Sequence, residues 1–401
     1  MIIYIFDSDF KKLDVLHKWT YIQYNDYFCD IGDFDMHVIA NDENAFLLDR
    51  TKRYYLSFNG EAMGYVQHVS RVNDSEDVAL LQVKGKLISY ILDKRVVSGV
   101  QTYNGRSSKI VCDIINANIG AKMVGSNVSH RFLNINPKEK LADASLLATK
   151  SYQQTGGTIW GSIEELMASD KLGYDIVPNE SGLVEGQYGV GTNIYDFDLY
   201  IIQGHDRTEG NKQGNDPIVF SYSLSNLVST EYEYDKTDES NICYVAGEGE
   251  GANRKWLMCD AKGQTDSGTG TAYTESTGWG REEFFVDARD LQKDTGEKTY
   301  TDSEYIELLR SRAMEKFSGH LVCESFDATI VQQDKRYQYG RDGSFYKGDY
   351  ITITDEVLGI TADVQVTGYT KTVEGNRVIH DVSFGYKRLT VGQKVKREGL
   401  I

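Results

Sequence analysis

The sequence is poor in the residues that chemistry most often needs. Its five cysteines (Cys29, Cys112, Cys243, Cys259 and Cys323) are odd in number and widely scattered. No two stand as C-x-x-C, which argues against a disulfide framework and against structural zinc. The seven histidines include no H-E-x-x-H pair, and there is no G-x-S-x-G, so metal hydrolysis and a nucleophile elbow have no motif behind them. No run approaches the roughly 18–20 apolar residues of a membrane helix, so no membrane insertion by this chain is expected. The opening segment MIIYIFDSDFKKLD has no basic start ahead of a long apolar stretch, and no secretory signal is read from it. Positive charge is scarce as well. Lysine and arginine total 43 against 60 aspartates and glutamates, a net charge of −17, and a surface of that sign repels nucleic-acid phosphates.

What is present suits strands and turns. Only three prolines accompany 38 glycines and 27 tyrosines, and 401 residues exceed one compact core, so two to four domains are expected in a β-rich α+β protein. In YNDYFCDIGDFDMHV (Tyr24 to Val38) the parity from Gly32 puts Phe34, Met36 and Val38 on a core face, with Asp33, Asp35 and His37 on a wet one. Carboxylates spread along a strand in this way are not gathered round one point, as an acid/base pair or a metal site requires.

The first region, residues 1–103, reads as short strands dense enough for a small barrel. It includes an Asn59-Gly60 hairpin between Tyr54–Phe58 and Met63–Val72, and apolar strands at Val78–Lys84 and Leu87–Leu92. Residues 104–203 read as an α/β domain. One helix is capped at Ser107 or Ser108 and carries Ile110, Val111, Ile114, Ile115 and Ile119. Another follows Thr158, Pro137–Lys150 is weakly helical, and strands return at Tyr174–Val177 and Tyr195–Gln203. Residues 204–320 read as an α+β domain with long polar loops. They end in a helix whose Thr301 and Glu304 fit a capping box, with Ile306, Leu309, Ala313 and Phe317 on one face. Residues 321–390 return to period two as a second barrel, and 391–401 form a short basic arm.

Candidate sites reduce to turns. Gly204-His205-Asp206 sets an imidazole beside a carboxylate, but a glycine-rich turn yields the same tripeptide. GEGEGANR (Gly247 to Arg254) puts Glu248 and Glu250 where phosphate-binding amides should face their ligand, and DARDLQKDTGE (Asp287 to Glu297) lacks the alternate ligand spacing of a calcium loop. Cys112 lies on an apolar helix stripe, and Trp19 and Tyr21 share a strand side, where barrel aromatics are common. No catalytic, cofactor-binding or metal-binding residue is assigned, and no cofactor is expected.

The order of segments nonetheless resembles a siphophage tail protein family. Its N-terminal signature is carried by Trp19, Tyr24, Asn25, Asp26, Gly32, Phe34 and Asp35, with a departure at Gln23, where a basic residue is usual. The resemblance continues through Tyr222–Arg254, Arg281–Leu291 and YKGDYITITDEVLGI (Tyr346–Ile360). It implies a baseplate hub or tail tip protein of the virion, with two small tail-tube-like β-barrels and two intervening α/β or α+β domains. It further implies a homotrimeric ring that joins the tail tube to the distal tip, contacts a distal tail protein and tip or spike proteins, and lets DNA pass without specific binding. On this reading the chain is not an enzyme. The rival readings are a tail-associated cell-wall hydrolase and a receptor-binding module anchored by Tyr273 and Trp279.

Overall fold

The computed structural model describes residues 1–73, 79–119, 133, 135–178, 197–266, 278–296, 298–331 and 335–385. The first region contributes β1 (Ile3–Phe6), β2 (Lys12–Val15), β3 (Trp19–Tyr27), β4 (Asp33–Ile39), β5 (Tyr55–Phe58), β6 (Ala62–Asn73) and β7 (Ala79–Leu87). The second contributes β8 (Val100–Gly105), α1 (Ser107–Asn118), β9 (Ile135–Lys140), β10 (Lys150–Thr155), α2 (Ile159–Ser169), β11 (Gly173–Pro178) and β12 (Phe197–Ile202). Next come β13 (Asp206–Arg207), β14 (Val219–Ser221), β15 (Leu227–Asp235), β16 (Ile242–Ala246), β17 (Trp256–Asp260), β18 (Thr265–Asp266), β19 (Glu283–Asp287) and α3 (Asp302–Phe317). The chain returns through β20 (Cys323–Ile330), β21 (Tyr350–Asp355), β22 (Ile360–Glu374) and β23 (Arg377–Gly385).

Local patterns act as their chemistry dictates. Along β4, Phe34, Met36 and Val38 are buried and alternate with half-buried Asp33, Asp35 and His37. Asn59 and Gly60 both adopt positive φ (53° and 78°) and turn β5 into β6. Thr158 caps α2 through its hydroxyl, and α3 starts with a complete capping box between Thr301 and Glu304.

The two expected barrels are not there. Among the described residues no sheet closes. One open sheet runs β15-β20-β23-β22-β3-β4-β7-β6-β5-β1-β2, with β21 branching from β22 and β13 and β14 pairing with β21. The cause is the length of β22. Its second half takes β3 as a neighbour, from Gly368 opposite Tyr27 to Glu374 opposite Tyr21, so the edges that closure would need are already used in joining the two ends of the chain. One core therefore spans both lobes and contains Ile22, Phe34 and Met36 together with Phe220, Phe326 and Phe384.

Other expectations also change. β7 stops at Leu87, and residues 88–94 wind into a 3₁₀ turn that buries Tyr90 and Leu92 against a second core. Of Pro137–Lys150 only Ala144–Leu146 is helical, as a 3₁₀ turn; Ile135–Lys140 is a strand parallel to β12, held by that neighbour rather than by its own propensity. The N-cap of α1 is Arg106, while Ser107 and Ser108 are buried inside the first turn, where the Ser108 hydroxyl donates to Glu139 (2.5 Å). In the second core α1 and α2 pack with the β11-β12-β9 sheet, and in a third α3 covers β16, β17 and β19.

Candidate functional site

The most constrained constellation lies where these lobes meet. It joins Asp26 and Lys347, from two family segments that sequence reading treats separately, with Asp175 and Arg341 from outside them. Asp26 sits near the end of β3, on the strand next to β22 where the sheet branches, and Lys347 belongs to the loop before β21. The Lys347 ammonium, 2% exposed as a residue, donates to the Asp26 carboxylate at 2.6 Å and to the Tyr27 carbonyl at 3.3 Å. Its second acid is Asp175 of β11, 3.9 Å away, and Asp175 takes a two-pronged bond from Arg341 (2.6 and 2.8 Å). Tyr174 and Tyr346 place their rings 5.3 and 5.8 Å from the Lys347 nitrogen. Two cations and two carboxylates thus tie β3, β11 and the 339–349 loop into one clasp.

Burial pushes the Asp26 carboxyl up, and the Lys347 charge works against that rise. At Asp175 burial acts in the same sense, but the Arg341 hydrogen bond and the nearby Lys347 charge outweigh it and hold the carboxyl below its usual range. Stacked rings surround the clasp: Tyr339 lies on Tyr369 with centroids 3.9 Å apart. The rest of the signature is used in the same way. The Tyr24 hydroxyl donates to Glu61 (2.5 Å), which also binds Lys371 (2.7 Å), and Asn25 links Asp33 to Thr370. Asp33 and Asp35 meet Lys86 and Lys84 of β7, each at 3.0 Å, so the acidic strand face is neutralised across the sheet.

A cleft of about 210 Å³ opens beside the clasp, lined among others by Lys140, Tyr200, His205, Arg207 and Arg341. His205 is held there by its backbone, whose N–H donates to Asp349 (2.8 Å), while Arg207 binds the other oxygen of the same carboxylate (3.0 Å). Asp206 is spent on a turn, accepting from the Thr208 N–H and hydroxyl (3.1 and 2.8 Å), rather than on orienting the imidazole. Gly204 is required by close approach: a Cβ there would lie 1.8 Å from the Gly348 carbonyl oxygen.

The remaining candidates stay apart. Gly249 and Gly251 turn with positive φ, and Glu248 accepts from the Lys293 N–H (3.1 Å) rather than leaving room for phosphate. In 287–297, Asp287 pairs with arginines and Asp290 with Arg312, and Glu297 lies outside the described residues. Among the described residues no group of three or more His, Cys, Asp or Glu is placed to hold a metal ion. Burial raises the Cys112 thiol to about 12. A bulge between Trp19 and Tyr21 separates that pair: Trp19 packs on the core, while Tyr21 rests on His37. Trp279 is fully exposed, and Tyr273 lies outside the described residues. Sequence reading misses Lys347, Arg341 and Asp175 as a group, because YKGDY marks only Lys347 and no family segment contains Arg341 or Asp175.

The fold is thus β-rich and multi-lobed, an open sheet locked by a buried ionic clasp. The chain belongs to the Siphovirus ReqiPepy6 Gp37-like protein family, whose model matches residues 2–386. The tail protein from Neisseria meningitidis MC58 is similar in fold, with 12% identity over 96% of each chain and a TM-score of 0.51. So is the 43 kDa tail protein of prophage MuSo2 from Shewanella oneidensis, with 11% identity over 96% of this chain and 98% of that one and a TM-score of 0.50. No curated protein matches the chain.

Proposed function

We propose that the protein is a hub subunit at the tail tip, assembling as a homotrimeric ring between the tail tube and the distal tip. The junction of β3 with β22 carries this reading. It sets the N-terminal and C-terminal lobes side by side in one sheet, with the clasp beneath, so that each copy supplies two adjacent lobes and three copies supply six. A distal tail protein would lie on one side of the ring and tip or spike proteins on the other. An acidic wall would let DNA pass without gripping it, since each lysine or arginine contact to phosphate adds affinity that slows transit. A reconstruction of intact tails tests the reading: a three-fold ring with Asp and Glu side chains in its bore is expected. Separate subunits, or a bore lined by lysine and arginine, would overturn it.

A further inference from the structure

The lobe that contains α3 is inserted into the open sheet rather than built into it. The chain leaves the sheet at Asp235 of β15 and returns at Cys323 of β20, and these two residues stand opposite each other in the ladder. Between them β16 to β19 and α3 enclose a core of their own, with Val245, Leu257, Leu309 and Phe317, separate from the core shared by α1 and α2. Every residue of the two connecting segments, 236–241 and 318–322, is exposed or half-exposed. The segments run side by side: the Ser240 N–H donates to the His320 carbonyl (2.9 Å), and the His320 ring stacks on Phe284 of the lobe with centroids 3.8 Å apart. A short exposed stem between separately packed lobes is where hinge rotation is absorbed.

What holds this lobe against the α1–α2 lobe is polar. Arg312 of α3, bonded to Asp290 (2.9 and 3.0 Å), reaches the Gln153 carbonyl of β10 (3.3 Å). Lys316 binds Glu165 of α2 (2.8 Å), and the buried Gln153 side chain accepts the Gln292 N–H (2.8 Å). The α1–α2 lobe is fixed differently, to the main sheet, by the clasp and by the Tyr174 hydroxyl, which donates to the Asp30 carbonyl (2.7 Å). Within the polar seam lies Glu315, 4% exposed. Its Oε2 stands 3.3 Å from Arg312, and its Oε1 has no hydrogen-bond partner among the described residues. Lys150 and Tyr152 of β10 face it, as do Glu165 of α2 and Lys316 of its own helix; Lys150 is itself paired with Asp170 (3.1 Å). A carboxylate left half-satisfied in a buried network is costly once ionised, and moving the lobe outward returns it to water.

We propose that residues 236–322 form a hinged lobe, latched against the α1–α2 lobe while Glu315 is protonated and swinging away about the 236–241 and 318–322 stem when Glu315 ionises. Ionisation sets a second carboxylate beside Glu165 and leaves one buried oxygen without a donor, whereas opening hydrates both acids and disturbs neither apolar core. Burial raises the Glu315 carboxyl in the closed arrangement, which puts the change within the ordinary range of pH. The inference does not depend on the ring proposed above.

Hydrogen exchange at the Gln292 amide, whose bond to Gln153 crosses the seam, tests it, with each rate divided by the intrinsic rate at that pH. Between pH 5 and 8 this corrected exchange should rise on the order of tenfold in the unaltered chain, while the Val245 and Leu257 amides inside the lobe keep theirs. In Glu315→Gln the rise at Gln292 should be absent. A flat profile at Gln292 in the unaltered chain would overturn the proposal. So would the same rise in Glu315→Gln, because another group would then work the seam. A rise shared equally by Val245 and Leu257 would overturn it as well, since the lobe would be unfolding rather than swinging.

Discussion

The Lys347 ammonium lies 2.6 Å from the Asp26 carboxylate, although 321 residues separate the two in sequence. Lys347 is buried and Asp26 is half-buried, and the Lys347 charge opposes the rise that burial imposes on the Asp26 carboxyl. Breaking such a pair leaves an uncompensated buried charge, which costs far more than the pair contributes when whole.

Replacing Lys347 by Met should therefore destabilise the protein by about 3–5 kcal/mol, because Asp26 would lose its hydrogen-bonded cation and still face the Asp175 charge. Adding Asp26→Asn should recover much of that loss. Urea denaturation of the two single variants and the double variant reads the coupling directly; additive effects would show that the clasp does not act as a unit.

Glu315 of α3 predicts a pH dependence. Burial lifts its carboxyl from 4.5 to about 7; Arg312, at 3.3 Å, opposes the rise and Glu165 adds to it, with Lys150 and Lys316 also facing it. A folded value above the unfolded one means that the stabilising form is the protonated one. Its contribution is complete below pH 4.5 and is lost as pH rises through about 7. Glu315→Gln should match the native protein near pH 4 and exceed it above pH 7 by about 3 kcal/mol, read from denaturation midpoints across that range.

Gly204→Ala is expected to loosen the wall of the cleft. The new methyl would meet the Gly348 carbonyl, and Gly348 cannot retreat, because its own φ is +96° and Phe28 packs against it. A loss of about 2–3 kcal/mol is expected from calorimetry, with the fold retained by circular dichroism.

Thr301→Ala removes one half of the capping box of α3. A loss of about 1 kcal/mol is expected, with Thr301→Ser restoring most of it, as measured by thermal melting.

The sequence by itself determined the features that depend on neighbours in the chain. The alternation of β4, the Asn59-Gly60 turn, the cap at Thr158 and the Thr301–Glu304 box are all settled within a few residues, by side-chain parity, by tolerance of positive φ or by a hydroxyl reaching the next amide. Family membership was legible too, because the signature around Tyr24–Asp26 is local. Tertiary structure alone decided whether the sheets close. Period two says that a residue faces a core, but not which distant strand lies beside it, and the choice of β3 as the neighbour of β22 turned two expected barrels into one open sheet. The same limit hid the clasp: Asp26, Asp175, Arg341 and Lys347 are ordinary charges in sequence, and only burial at a junction of three segments makes their pairing obligatory.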